Sequence, residues 1–154
     1  MNDTYRDDTD RPESHKKGER HERQARRILN RKYTAERVPS AYGNNDPFHL
    51  ADVMGLKEGL PFALVQVKTN RFTAKDRRYY RGWASRRVDG VHTIFEVWVR
   101  VDRDGWRMNR LDPDTGDYNQ YFETSTCDPS KVRDEWAEAF EYSLQPDTDR
   151  GDSE

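Results

Sequence analysis

Residues 62–69, Phe-Ala-Leu-Val-Gln-Val-Lys-Thr, decide how this chain is expected to fold. Successive side chains of a strand point to opposite faces, so one face carries Phe62 and Leu64 followed by Gln66 and Lys68. An amide and an ammonium at the end of an otherwise apolar face cost free energy unless they have partners. The pair therefore indicates either a functional site or a strand end that has reached solvent.

The segments on both sides of this strand predict an α/β fold. Residues 57–61, Lys-Glu-Gly-Leu-Pro, have the length and composition of a hairpin turn, and Thr73 and Asp76 have the spacing of a helix capping box. The order of predicted elements is α-β-β-β-α-β-β-α, a mixed central sheet flanked by helices. The elements are a helix over 18–32, strands over 34–38, 48–56 and 62–69, a helix from residue 73, strands over 91–101 and 106–111, and a helix from Pro129 capped by Asp128.

Composition limits the chain to one domain and excludes several classes of protein. With 154 residues and 32% hydrophobic content, we expect a domain over residues 17–144 between acidic disordered tails at 1–16 and 145–154. We expect no membrane span and no secretory signal, hence a cytoplasmic location. Cys127 is the only cysteine, which excludes an internal disulfide. No glycine-rich phosphate loop is present, so we expect no nucleotide cofactor.

Positive charge is concentrated in the middle of the chain. Residues 11–110 carry an excess of eleven positive charges, and 17 of their 23 cations are arginines, which bind phosphate oxygens bidentately. A solvated charged surface is the alternative interpretation. The candidate DNA-binding residues form two clusters, Lys16, Lys17, Arg20, Arg23, Arg26 and Arg27 at the first helix, and Lys75, Arg77, Arg78, Arg81, Arg86 and Arg87 at the second.

Two carboxylates are expected near Gln66 and Lys68. Asp52 interrupts an apolar strand that the hairpin would pair with residues 62–69, and Glu22 shares the inward stripe of the first helix with Ala25. Carboxylate and amide oxygens suit Mg²⁺, with Mn²⁺ as a substitute, and water and a substrate phosphate would complete its coordination. Lys68 beside the metal could orient or help deprotonate an attacking water.

Four blocks occur in order and with compatible gaps, and together they resemble a known family. They are Lys-Gly-Glu-Arg-His-Glu-Arg at 17–23, Arg-Val-Pro-Ser at 37–40, Asp-Val-Met-Gly-Leu-Lys-Glu-Gly at 52–59 and Leu-Val-Gln-Val-Lys at 64–68. Over about residues 16–110 the chain is similar to the archaeal Holliday junction resolvases, members of the PD-(D/E)XK nuclease superfamily.

The resemblance implies a restriction-endonuclease-like fold and a homodimeric, Mg²⁺-dependent endonuclease that cuts branched DNA such as four-way junctions. It implies an active site of Glu22, Asp52, Gln66 and Lys68, with Ser40 close by. The family has an acidic residue where this chain has Gln66, and the neutral amide should weaken metal binding. Two alternatives therefore stay open: a DNA-binding protein of this fold that has lost activity, and a nuclease that acts on ordinary duplex or replication intermediates.

Overall fold

A computed structural model describes residues 13–38, 51–78 and 92–146 of the chain. The predictions for Ser40, Arg81, Arg86 and Arg87, and for most of both tails, lie outside these residues. Residues 74–78 are helical, as the second predicted helix requires. The other elements are α1 (Glu13–Leu29), β1 (Thr34–Arg37), β2 (Val53–Leu56), β3 (Phe62–Thr69), β4 (Thr93–Val101), β5 (Gly105–Leu111), β6 (Tyr118–Thr124) and α2 (Pro129–Ser143).

The described strands form one six-stranded mixed sheet in the order β1-β2-β3-β4-β5-β6. Strands β3 and β4 are parallel, with Val65 opposite Glu96, and the other neighbouring pairs are antiparallel. Parallel neighbours require a crossover connection between them. The predicted α/β class, a mixed sheet flanked by helices, is confirmed.

Helix α1 packs on the sheet through the apolar stripe that the sequence predicts. Ala25, Ile28 and Leu29 are fully buried, and the chain then turns so that Tyr33 lies across β2. A Cβ on Gly55 would lie 2.9 Å from the Tyr33 ring, so only glycine allows this close approach. The Tyr33 hydroxyl donates to the Pro61 carbonyl at 2.6 Å, which satisfies its buried polar group.

Helix α2 begins as predicted and covers the same face of the sheet. Asp128 is its N-cap and accepts from the Ser130 N–H at 3.1 Å, with proline at the first helical position. Val132, Trp136 and Phe140 are buried against the strands. No helix in the described ranges is both long and apolar enough to cross a membrane.

The main differences from the sequence-based prediction concern α1, β2 and β6. Helix α1 begins at Glu13, within the segment 1–16 for which no structure was expected. Strand β6 was not predicted, because Asn119 and Gln120 are exposed along this edge strand and a register shift between Met108 and Asn109 disturbs the alternation. Among the described residues of the predicted strand 48–56, only the last four are extended.

Candidate functional site

The carboxylate of Asp52 lies where the pairing of β2 with β3 ends. The backbone of Asp52 still joins the sheet, because its N–H donates to the Val65 carbonyl and its carbonyl accepts from the Val38 N–H, both at 2.8 Å. Its side-chain Oδ2 accepts from the Val67 N–H and from Gln66 Nε2, both at 2.9 Å. The Asp52 carboxylate therefore accepts a hydrogen bond from β3 that a backbone carbonyl would accept if β2 were longer. The predicted contact between Asp52 and Gln66 is present.

The Gln66 amide is oriented by this contact. Because its NH₂ donates to Asp52, its carbonyl oxygen Oε1 points away from that carboxylate, and this buried oxygen has no hydrogen-bond partner among the described residues. A buried acceptor without a donor costs about 1–3 kcal/mol. An unsatisfied oxygen beside a carboxylate has the donor chemistry that a hard divalent cation accepts.

Lys68 follows Gln66 on the same face of β3. It pairs with Asp76, which was predicted from the sequence only as part of a helix cap. Lys68 Nζ lies 3.6 Å from Asp76 Oδ2. The predicted capping box is present, since the Thr73 N–H donates to Asp76 Oδ2 at 3.2 Å and the Asp76 N–H donates to Thr73 Oγ1 at 3.1 Å. Burial alone would raise the pKa of Asp76, but the Thr73 hydrogen bonds and the Lys68 charge outweigh it and lower that pKa.

Glu22 reaches the same end of the sheet from the face that carries the helices. Its Oε1 accepts from Arg37 Nη2 at 3.0 Å, and Arg37 ends β1 next to the Val38 that bonds to Asp52. The expectation that Glu22 lies on the inward stripe of α1 needs correction: His21 occupies the stripe at 4% exposure, whereas the Glu22 side chain is 26% exposed at its margin. The aliphatic spacing of α1 suits either residue, so the sequence could not choose between them.

These contacts form three side-chain pairs at the end of the sheet: Glu22 with Arg37, Asp52 with Gln66, and Lys68 with Asp76. Alternation along β3 places Gln66 and Lys68 opposite the helix-bearing face, so Glu22 and Arg37 approach the strand ends from the other side. Within residues 13–38, 51–78 and 92–146, no group of three or more His, Cys, Asp or Glu side chains is arranged to hold a metal ion. We call the following residues the sheet-end cluster: Glu22, Arg37, Asp52, Gln66, Lys68 and Asp76.

His21 ties α1 to β3 beside this cluster. Its Nδ1 lies 2.9 Å from Thr69 Oγ1, directly after Lys68 in the chain. Burial, aided by the positive charge of Arg100, lowers the pKa of His21 to about 4, so the ring is neutral at pH 7. No role for His21 was predicted from the sequence, because a lone histidine carries no pattern that would indicate a partner 48 residues away.

The predicted DNA-binding residues fall into two groups. Lys17 pairs with Asp102 at 2.5 Å, Arg26 Nε donates to the Ala35 carbonyl at 3.0 Å, and the Arg77 guanidinium lies 4.3 Å from the centroid of the Phe72 ring. The remaining described members are turned outward without such contacts. Those on α1 share one side of the helix, opposite its buried stripe, and are Lys16, Arg20, Arg23 and Arg27. Those on the helical segment 74–78 are exposed, and they are Lys75 and Arg78.

Comparisons with family models, curated proteins and solved structures found no match to this chain. Membership of the resolvase family therefore stays a prediction, carried by the four sequence blocks.

Proposed function

We propose that this protein is a divalent-metal-dependent endonuclease that hydrolyses phosphodiester bonds in branched DNA. The observation that carries the proposal is the buried Gln66 Oε1, which has no partner among the described residues while the same amide donates to Asp52. The mixed sheet with its flanking helices is compatible with a restriction-endonuclease-like fold, which we propose for the chain.

The residues present fit a magnesium ion in their donor chemistry. Asp52 and Gln66 would supply one carboxylate and one neutral oxygen, and Glu22 a second carboxylate from the helix side. When bound, Mg²⁺ would supply Lewis-acid chemistry, lowering the pKa of a coordinated water and offsetting phosphate charge. The hydrogen bonds from Val67 and Gln66 fix Asp52 in advance, so little side-chain freedom remains to be lost on binding.

Lys68 is the cationic member of this group. Its ammonium lies on the same face of β3 as the Gln66 amide and is partly shielded, with 27% of the side chain exposed. In that position it would stabilise the negative charge that builds on the phosphate oxygens and orient the attacking water. Shielding from solvent makes such an interaction stronger than it would be at an open surface.

The exposed stripe of α1 is proposed to contact a DNA arm. The part of α1 from Lys16 to Arg27 is about 16 Å long at 1.5 Å per residue, which is long enough to contact successive phosphates. These contacts carry no base code, so recognition would follow backbone shape. We propose a homodimer, because symmetric cutting of a junction needs two sites.

The second candidate is a DNA-binding protein of the same fold without catalysis. The observation that favours it is the Glu22 carboxylate, which binds Arg37 at 3.0 Å, so a metal ion would have to compete with a guanidinium for this ligand. A nuclease acting on ordinary duplex or replication intermediates remains the third.

A cleavage panel tests these functions. Labelled four-way junction, flap and linear duplex are incubated with the protein and Mg²⁺ or Mn²⁺, alongside Asp52→Asn and Lys68→Ala. Asp52→Asn keeps an acceptor for the Val67 N–H but removes the charge, and we expect each variant to lose activity about 100-fold or more. Glu36→Gln and Lys57→Ala, which change exposed residues outside the sheet-end cluster, serve as matched controls.

Preference for the junction would support the proposed substrate, and preference for the duplex or flap would favour the third function. Junction binding without cleavage by any metal would support the second. Cleavage that survives both Asp52→Asn and Lys68→Ala would contradict the site.

A further inference from the structure

Lys68 has the candidate ligand Gln66 as its neighbour on the same face of β3, and its ammonium pairs with Asp76 in the helical segment that follows Thr73. On its own strand the preceding residue of the same face is Gln66, whose amide is bound to Asp52. From the helix start, the Asp76 carboxylate approaches Lys68 Nζ to 3.6 Å, and 25% of the Asp76 side chain is exposed. The ion pair is therefore partly shielded from water, where charge interactions are stronger than at an open surface.

The Asp76 carboxylate is also held by hydrogen bonds at the start of its own helix. The oxygen that faces Lys68, Oδ2, also accepts from the Thr73 N–H, and the Asp76 backbone N–H is bound to the Thr73 hydroxyl. These bonds fix the carboxylate to the first turn of the helix. A fixed anion can determine where a flexible lysine places its charge, whereas a mobile one would follow the lysine.

We propose that Asp76 is a positioning residue that holds the Lys68 ammonium beside the cation site and offsets its charge there. This inference rests on the proposed function. An ammonium next to a divalent cation repels it, and a carboxylate fixed beside the ammonium reduces that repulsion. The same carboxylate limits the directions in which Lys68 can point, which keeps it close to a phosphate at Asp52 and Gln66. As part of a helix cap, residue 76 needs an acceptor and gains a modest stabilisation from a negative charge in the first turn, and neither role requires a lysine beside it.

The capping box allows a clean test, because both Glu and Gln occur at its last position. Asp76→Glu and Asp76→Gln both keep an acceptor for the Thr73 N–H and differ in charge. Thr73→Ala is the matched control, since it removes the hydroxyl half of the capping box and leaves the carboxylate. Each variant is assayed for Mn²⁺ binding by calorimetry without DNA, for kcat and KM on the preferred DNA, and for its thermal midpoint.

For Asp76→Gln we expect Mn²⁺ affinity and kcat to fall about 10- to 100-fold while KM for DNA is unchanged. Asp76→Glu should restore most of both, and Thr73→Ala should lower the thermal midpoint with less effect on Mn²⁺ affinity and kcat. Equal losses in the Glu and Gln variants would assign the effect to helix geometry and overturn the inference, as would wild-type binding and turnover in Asp76→Gln. If the wild type binds no Mn²⁺ and cuts nothing, the proposed function itself fails.

Discussion

Two sets of charged side chains lie on this sheet, one beneath α2 and the other at the sheet end. Beneath α2, Glu96 is 2% exposed, and its carboxylate accepts from Trp98 Nε1 at 2.8 Å and from the Tyr121 hydroxyl at 2.6 Å. Arg110 Nε donates to its other oxygen at 2.8 Å, and Trp136 Nε1 donates to the Tyr121 hydroxyl at 2.9 Å. We call these five residues the Glu96 network.

The two sets differ in how their polar atoms are used. In the Glu96 network both carboxylate oxygens have donors, and the Arg110 guanidinium, whose Nη2 has no hydrogen-bond partner among the described residues, lies 4.5 Å from the Tyr121 ring centroid. In the sheet-end cluster two buried atoms have no hydrogen-bond partner among the described residues, the donor Arg37 Nε and the acceptor Gln66 Oε1, and the side chains around them reach solvent. A buried carboxylate whose two oxygens both have donors stabilises the fold, whereas an unsatisfied oxygen next to carboxylates that reach solvent is suited to a ligand.

The largest effect is expected in the Glu96 network. Glu96→Ala leaves Arg110 buried without its carboxylate, and we expect the free energy of unfolding to fall by about 3–5 kcal/mol. Urea denaturation measures it, with Glu123→Ala on the exposed edge strand as the control, for which we expect a change within about 0.5 kcal/mol. A loss below about 1 kcal/mol for Glu96→Ala would show that this buried pair contributes little to the stability of the fold.

His21 should behave like a member of the core, although it neighbours the sheet-end cluster. Its pKa is lowered to about 4 in the folded chain from an ordinary value of 6.5, so the unfolded chain binds the proton more tightly. The free energy of unfolding should therefore fall as the pH drops from about 6.5 to about 4, and be unaffected by this group above that range.

Urea denaturation at a series of pH values, compared between wild type and His21→Gln, isolates this contribution from the carboxylates that also titrate. The glutamine amide can donate to the Thr69 hydroxyl or accept from it, so a hydrogen bond between α1 and β3 can be kept. Identical pH dependence in the two proteins would mean that His21 is not held neutral by burial.

The sequence predicts those parts of the molecule that depend on neighbours along the chain. The alternation of residues 62–69, the capping box at Thr73 and the N-cap at Asp128 are local patterns, and each is present as expected. The contact of Asp52 with Gln66 was also predictable, because a short hairpin fixes which residues face each other.

Interactions across the fold were not predictable in the same way. Asp76 was identified as a cap, but its approach to Lys68 depends on how the helix start packs on β3. Glu96 lies on the face of β4 opposite to its alternating valines, and its partners Arg110 and Tyr121 come from two later strands. Strand β4 is buried on both faces, so its pattern did not indicate which face carries the helices.

Replacing the neutral amide of the sheet-end cluster should produce a smaller change in stability than loss of Glu96. Gln66→Glu removes the donor to Asp52 and sets two carboxylates against each other, so without metal we expect about 1–2 kcal/mol less stability at pH 7. Mg²⁺ should then raise the thermal midpoint more than in wild type, and metal-dependent cleavage should persist or strengthen.

Thermal unfolding in EDTA and in Mg²⁺ measures both effects, with Gln120→Glu on the exposed edge strand as the control. A Gln66→Glu midpoint that does not respond to Mg²⁺ would remove residue 66 from the candidate ligands. If the wild type is inert and Gln66→Glu is active, the protein is a DNA-binding protein of the same fold that has lost catalysis.

The smallest effect concerns two arginines of α1 that carry the same charge in different surroundings. Arg23 is exposed on the outward stripe, whereas Arg26 Nε donates to the Ala35 carbonyl at 3.0 Å and its Nη2 lies 3.9 Å from Glu36. We expect Arg23→Gln to reduce the slope of log affinity against log salt for a DNA duplex by about 0.9, the value for one phosphate contact. Arg26→Gln should change this slope less, because the Arg26 guanidinium already contacts Ala35 and Glu36.

Fluorescence anisotropy at several salt concentrations measures both slopes. Since each variant removes one positive charge, equal slopes would mean that the DNA responds to net charge alone and that the stripe makes no specific phosphate contacts.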